Sequence, residues 1–544
     1  MPRNEERIEQ VRQQLAIHDG NASAVARTLG MPRQNVQRII ALYLGGRKAL
    51  MPMQAGRVRP QTVEVLEPPA RGVKRYIFTC AQNNTPVNKA VLENLLALAK
   101  HDKAEFFCSS FTYNQNAYGK LSVKRGTHAG RSSDLWYDEA IVQYLDKSDR
   151  EIEVAPGLVW CGRMNTLPTA DRPLSGFETY TGQKSGILPH AKLAMQSVAM
   201  MKADGAKFIY TTGTVTQLNY IQKRVGIKAE FHHSYGALMV EVDAQGRWFV
   251  RQLNADGKGR IYDLDRLVEE GKVTVGHAVE AINWGDAHVV QMDPTVRKLC
   301  WGKDGMLDTL KPRYQFMHDL VDFRSRNHHE IGNPHIQFER FVERQDSVRW
   351  EMEETAKFLE EANREWCKTV VVDSNHDNAL TRWLREVDYR RDPLNALFFL
   401  RCQLRKYESI DQGDKKFHMV EYVLRDMIGC PKDVRFLRED ESFIICRSSR
   451  EGGAGGIECG MHGHLGPNGQ RGSPQNLSRM GRRANTGHTH SAGSIDGLYT
   501  AATCSLLDVG YNRGPSSWSH TMIVTYKNGK RALVTLFRGA WRAQ

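Results

Sequence analysis

The chain is 544 residues long, with 41% hydrophobic and 25% charged side chains and a formal net charge of +13. That length exceeds what one hydrophobic core serves, so two to four domains are expected, and the composition excludes a disordered or fibrous protein. No apolar run approaches the length of a bilayer span and neither end reads as a targeting segment, so no membrane partner is expected; the ten cysteines include no C-x-x-C pair, which argues against a disulfide framework or a thiolate zinc site and for a reducing cytoplasm.

Residues 1–44 read as a small helical module. Ile8, Val11 and Leu15 fall at helical spacing, Ser23 stands where it can cap a second helix carrying Val25, Ala26 and Leu29, Gly30 offers a tight turn, and Pro32 precedes a third helix with Val36, Ile39 and Ile40 inward. The run resembles a helix-turn-helix whose outward Arg33, Gln34, Gln37 and Arg38 are the side-chain types that reach phosphates and base edges. A helical hairpin used for docking or oligomerisation fits the same pattern.

Residues 45–74, rich in Gly, Pro and Arg, read as a linker. Residues 75–275 alternate strand-like runs at 76–79, 207–212 and 238–242 with helical stretches such as 87–100, which predicts an α/β domain. Its polar clusters at 82–84 and 232–235 follow strands and either line a cleft or satisfy turns. Near the carboxyl end, Asn528-Gly529 between apolar runs predicts a hairpin that completes a sheet.

The remainder, 276–544, carries five short segments in order: Gly285-Asp286-Ala287-His288, His318-Asp319-Leu320-Val321-Asp322, Ser374-Asn375-His376-Asp377, Met461-His462-Gly463-His464 and Gly487-His488-Thr489-His490. They tend to follow apolar runs, as before Asp286, Asn375 and His462, which is expected of loops at strand ends that aim side chains at one point. The donors are carboxylate, imidazole and amide without thiolate. Such a set suits divalent manganese first, with iron, zinc or magnesium as alternatives, and not calcium.

In their order and content the five segments resemble the calcineurin-like metallophosphoesterases. The resemblance implies a four-layer α-β-β-α sandwich over 276–544, preceded by the α/β domain and the helix-turn-helix module. It also implies two divalent metal ions, one held by Asp286, His288, Asp319 and His490, the other by Asp319, Asn375, His462 and His488, with Asp319 as the bridge. Two such ions clamp a phosphate and activate one water for attack. By the same resemblance His376 stands beside the ions as the acid that protonates the leaving oxygen, with Asp322 orienting it.

Departures from the family pattern carry information. Phe323 occupies the place of the arginine that grips a phosphate monoester in the phosphoprotein phosphatases, with Arg324 after it, so a monoester phosphatase is disfavoured. His318 and Ser374 replace glycines, which leaves the ligands untouched.

The amino-terminal module and the basic balance tilt the expected substrate toward DNA, as do Arg471, Arg479, Arg482 and Arg483 between the fourth and fifth segments. A helical insert at about 380–430 carries further arginines, which equally suit an outer helix face. The core is similar to SbcD-like repair nucleases, and the three-part organisation resembles phage-encoded DNA exonucleases and the pre-early deoxyribonucleases of some large siphophages. The expectation is therefore an enzyme, a metal-dependent DNase of the host bacterial cytoplasm that self-associates. A phosphatase or cyclic-nucleotide phosphodiesterase, and a DNA-binding regulator with a vestigial metal site, remain as alternatives.

Overall fold

A computed structural model describes residues 2–43, 63–113, 136–145, 151–447 and 455–544. It divides into two compact units, Met1–Glu64 and Val65–Gln544. In the first, helices α1 (Pro2–Ile17), α2 (Ala22–Thr28) and α3 (Arg33–Tyr43) enclose Val11, Leu15, Val25, Ala26, Val36 and Ile40, the residues that the periodicity turned inward. Ser23 does not cap α2. Asn21 does, two residues earlier, its carboxamide oxygen accepting the Ser23 and Ala24 amides. Gly30 turns the chain at φ 60°, a left-handed conformation that a side chain would strain. Residues 45–62 of the expected linker lie outside the described residues, and its end is already sheet, since a strand begins at Val73.

The second unit is mixed α/β. A four-stranded sheet runs in the order Trp248–Asn254, Gly236–Asp243, Val73–Gln82, Glu105–Phe111. From Tyr76 on, strand Val73–Gln82 is buried on both faces, which is why Tyr76, Ile77 and Phe78 follow one another without polar alternation. Tyr76 and Phe78 pack with Trp160 on one side, while Ile77 packs with Val91 and Leu95 of helix Lys89–Asp102 on the other. Buried at its edge, Arg251 donates from Nε to Asp263 Oδ1 at 2.6 Å and from Nη1 to Glu241 Oε2 at 2.9 Å, tying three strands by charge.

A six-stranded sheet has the order Arg435–Phe436, Lys368–Val371, Tyr314–His318, Ala281–Asp286, His520–Thr525, Arg531–Leu536, the first four parallel. Ile282, Trp284, Met317 and Val371 face a helical layer that includes Val348–Ala362, Ala379–Glu386 and Ala396–Asp411. Ala281, Phe316 and Val370 face the opposite way, onto Ile445, Ile457 and Cys459 of an eleven-stranded sheet. The Asn528-Gly529 hairpin joins the last two strands of the six, with Gly529 at φ 74°.

The eleven-stranded sheet changes the expected organisation. It joins strands from before residue 275, among them Leu158–Cys161 and Lys207–Thr211, to strands after it, among them Arg483–Thr486 and Leu498–Thr500. The seam is Met195–Val198 against Gly493–Ile495. The expected divide at 275 thus falls inside one compact unit. The outer face of this sheet is covered by Leu174, Phe177 and Tyr180 of the turn-rich segment 162–184 and by the one-turn helix Pro474–Leu477, so turns stand where a fourth, helical layer was expected.

The expected insert at 380–430 is helical, and its Arg382 and Arg390 are exposed and paired with Glu386 and Asp388, as on a solvated face. Among the described residues no helix is long and apolar enough to cross a membrane.

Candidate metal centre

Strands Ala281–Asp286, Tyr314–His318 and Lys368–Val371 are parallel, so their carboxyl ends share one edge and deliver Asp286, Asp319, Asn375 and His376 there. On the facing sheet Ile457–Glu458 and Arg483–Thr486 are also parallel, and the loops after them deliver His462, His488 and His490. One bond joins the two loops of the facing sheet, and a second locks the two edges together. Gly487 N donates to His462 O at 2.8 Å, and His488 N donates to the Asp286 carboxylate at 2.8 and 3.1 Å. Gly487 has no room for a side chain: a Cβ there would sit 2.2 Å from Asp286 Oδ1.

His288, Asp319, His488 and His490 all adopt positive φ, between 42° and 75°. Such conformations cost non-glycine residues on the order of 1–3 kcal/mol each and persist only where surroundings over-determine them, which makes their clustering a mark of a built site.

Three groups of donor atoms result, one of them His288, Asp322 and His376, and the other two sharing Asp319. Asp286, His288, Asp319 and His490 each offer one atom lying within 4.8 Å of the others, and so do Asp319, His462 and His488. His490 Nε2 lies 3.0 Å from Asp286 Oδ2 and 3.2 Å from His288 Nε2. His462 Nε2 lies 3.2 Å from Asp319 Oδ2 and 3.1 Å from Asn375 Oδ1, which brings Asn375 to the second group. Asp319 belongs to both.

The electrostatics follow from burial against charge. Burial penalises the Asp286 carboxylate, yet His462 and His490 hold its pKa at about 2; burial likewise opposes Asp322, which His288 holds at about 2. Burial works against His288 and His462 too, but Asp322 raises the first and Asp319 the second, each to about 9. His488 is pushed down to about 4 by burial and by His462, leaving a neutral ring with a free lone pair.

Asp322 and His376 lie together, as the resemblance implies, but the shorter bond between them runs to the Asp322 backbone. The Asp322 carboxylate accepts from His288 Nδ1 at 3.0 Å and from Gln291 Nε2 at 2.6 Å, whereas His376 Nδ1 donates to the Asp322 carbonyl at 2.8 Å, with the carboxylate 3.5 Å away. The reason is reach: His288 lies deeper and takes the side chain, leaving the backbone oxygen for His376. The His376 ring packs edge-on against His288 at 4.6 Å and remains half-buried.

The departures from family pattern find physical roles. Phe323 is buried against Trp383 and the Ser374 hydroxyl bonds Asp377. His318 is wholly buried, and neither ring nitrogen has a hydrogen-bond partner among the described residues.

The expected DNA contacts divide. Arg33, Gln34 and Arg38 are exposed on α3, with Gln37 half-buried. Arg471 is exposed and lies beside the fourth segment, since Leu465 and Arg471 bridge and Gly472 N donates to His464 O; Arg479 is also exposed. Arg482 and Arg483 are misplaced by the sequence reading. They sit at the amino end of a strand whose carboxyl end bears the histidines, with Arg482 3.7 Å from Glu458 and Arg483 against Gly529. Arg324 is half-buried, 3.9 Å from Glu343. The polar clusters of the middle region are internally satisfied, with His233 held by the Tyr220 hydroxyl and the Thr216 carbonyl and Gln82 by Thr85 and Asn219.

Sequence reasoning missed Gln291, which fixes Asp322, and Trp518, whose ring lies 4.1 Å from that of His490. Gln291 follows His288 by three residues, a spacing that a turn brings together; Trp518 lies on a distant loop and left no local signal.

No protein-family model matches the chain. No solved structure matches it either. It is 38% identical over 502 residues to protein A1 of Escherichia phage T5, a stretch that covers 90% of this chain and 86% of that protein. With that identity over that share of both chains, the chain belongs to the family of phage T5 protein A1.

Proposed function

We propose that this protein is a metal-dependent phosphodiesterase that hydrolyses DNA, encoded by a phage and acting in the host bacterial cytoplasm. The observation that carries the reading is the sharing of Asp319 between two groups of buried donors. The donor set fits divalent ions. Its oxygens and imidazole nitrogens converge without a thiolate, and the Nε2 atoms of His288 and His490 face each other at 3.2 Å, an arrangement suited to a shared cation.

One ion would be held by Asp286, His288, Asp319 and His490, the second by Asp319, Asn375, His462 and His488. When bound, the pair supplies Lewis-acid activation of a water and neutralisation of phosphate charge. The protein's own groups then do the rest. Asp322 accepts the Nδ1 proton of His288 and so leaves Nε2 as the ligating atom. His376, fixed through Nδ1 on the Asp322 carbonyl, presents its other nitrogen to the leaving oxygen as general acid. The buried Phe323 offers no grip on a monoester, which favours a diester substrate. DNA binding is assigned to Arg33, Gln34 and Arg38 of the first unit and to Arg471 and Arg479 of the second.

Self-association is part of this reading. Leu397, Leu400, Leu404 and Tyr407 stand exposed at three- and four-residue spacing on helix Ala396–Asp411. An antiparallel mate would cover them and set Arg390 and Arg391 toward Asp411 and Asp414.

The test is incubation of the purified protein with linear and circular duplex DNA, with and without manganese. Manganese-stimulated cleavage supports the proposal. Efficient turnover of a small phosphate ester with intact DNA would instead favour a phosphatase or cyclic-nucleotide phosphodiesterase, and salt-sensitive binding without cleavage a regulator.

A further inference from the structure

The rim of the metal centre carries a group of residues that none of the five segments includes. The segment 505–518 crosses beside His490 and places two aromatic rings there: Trp518, 4.1 Å from the His490 ring, and Tyr511, 5.9 Å from Trp518 and 49% exposed. Burial first, and then the charges of Asp322, Asp319 and Asp286, push the Tyr511 pKa well above the ordinary value. Two residues on, Arg513 is exposed, and among the described residues its guanidinium has no acidic partner.

The segment is held in place rather than left loose. Lys202 binds Asp508 at 2.7 Å and Asn512 at 3.5 Å, Ser516 and Met200 exchange backbone bonds at 2.7 and 3.0 Å, and the Asn512 side chain donates to Leu507 O at 2.9 Å. A tethered, part-exposed ring, with an exposed arginine two residues on whose amide donates to the Tyr511 carbonyl at 3.0 Å, has the two elements that single-stranded nucleic acid requires: a face for a base and a charge for its phosphate.

We infer that Tyr511, Trp518 and Arg513 form a platform that takes an unpaired nucleotide of a DNA strand, its base stacked on Tyr511 and its flanking phosphate on Arg513, and so positions the adjoining phosphate at the metal centre. This deepens the proposed nuclease reading and rests on it. The substrate is then a single strand or a frayed duplex end, with little base preference, because every base has a face to stack.

The experiment uses the full chain and a single-stranded oligonucleotide carrying 2-aminopurine, whose fluorescence falls when it stacks, titrated without added metal and then assayed for manganese-dependent cleavage. Quenching by the wild type and by Tyr511→Phe, with loss of quenching and a KM raised about 5- to 100-fold in Tyr511→Ala, is the expected result. Arg513→Gln is expected to lower the slope of log affinity against log salt by about 0.7, one phosphate contact on a single strand. Equal quenching by Tyr511→Ala and wild type, or a Tyr511→Phe variant as defective as Tyr511→Ala, overturns the stacking assignment; the second result would mean that the hydroxyl is what matters. Thermal melting of each variant shows whether it is folded. If the wild type quenches as expected but cleaves no DNA, it is the nuclease reading that fails, whereas cleavage with a KM indifferent to Tyr511 sinks the platform alone.

Discussion

Gly487 offers a test of the centre that replaces no proposed ligand. Replacing it with alanine places a methyl carbon 2.2 Å from Asp286 Oδ1 and 3.2 to 3.3 Å from the His318 side chain, where ordinary van der Waals contact begins near 3.4 Å. The Asp286 carboxylate must therefore retreat by roughly 1 Å, several times the ~0.2 Å tolerance of a metal–ligand distance. His318 is wholly buried and cannot yield freely, so the carboxylate takes most of the shift. Overpacking of this kind costs about 1–3 kcal/mol of stability, which a domain of this size survives. Manganese affinity, measured by calorimetry, is expected to fall by at least 10- to 100-fold, the scale for disturbing what orients a ligand. In thermal melts, manganese at about 100 times its dissociation constant should stabilise the wild type by about 2.7 kcal/mol and the variant far less. Gly257→Ala, where a Cβ meets nothing within 4 Å, is the control and should behave as wild type. Unchanged manganese affinity in Gly487→Ala would refute the placement of Asp286 in the coordination sphere.

Other predictions follow from the same geometry. Asp319→Ala should abolish both metal retention and cleavage, whereas His376→Ala should keep its metals, by elemental analysis, while diester cleavage slows by roughly two to four decades. Away from the centre, the buried Asp263 carboxyl is resisted by burial but held far below its ordinary value by Arg251 and Arg266. Its stabilisation is thus present above the unfolded pKa of about 4 and fades as pH falls below that. Asp263→Asn should cost about 3–5 kcal/mol in urea melts at pH 7, a gap that narrows toward pH 3. Removing residues 1–44 should weaken duplex binding more than it slows cutting of a short substrate; equal loss of both would assign that unit a folding role.

The sequence carried the donors because each lies just past the carboxyl end of a strand, where loop geometry is local: Asp286 closes one strand and Asp319 follows the next. Helix α3 was legible for a similar reason, since Val36 and Ile40 mark its inner face within a single turn. What escaped was set by pairing between distant segments. The seam of Met195–Val198 with Gly493–Ile495 joins strands some 300 residues apart, and nothing in either run announces the other. Arg483 looked like a mouth residue because it is five positions from His488, but an extended strand of that length spans about 15 Å and carried it to the opposite end. The resemblance brought Asp322 and His376 together, but only depth decides that His288 takes the carboxylate and His376 the carbonyl.

The central claim is that Asp319 joins two divalent ions, and electron paramagnetic resonance on protein saturated with manganese, with its metal content counted in parallel, tests it most directly. Two manganese ions per chain with the exchange-coupled spectrum of a bridged pair is the predicted result. A single ion, or two giving the superposed spectra of isolated centres, would contradict it.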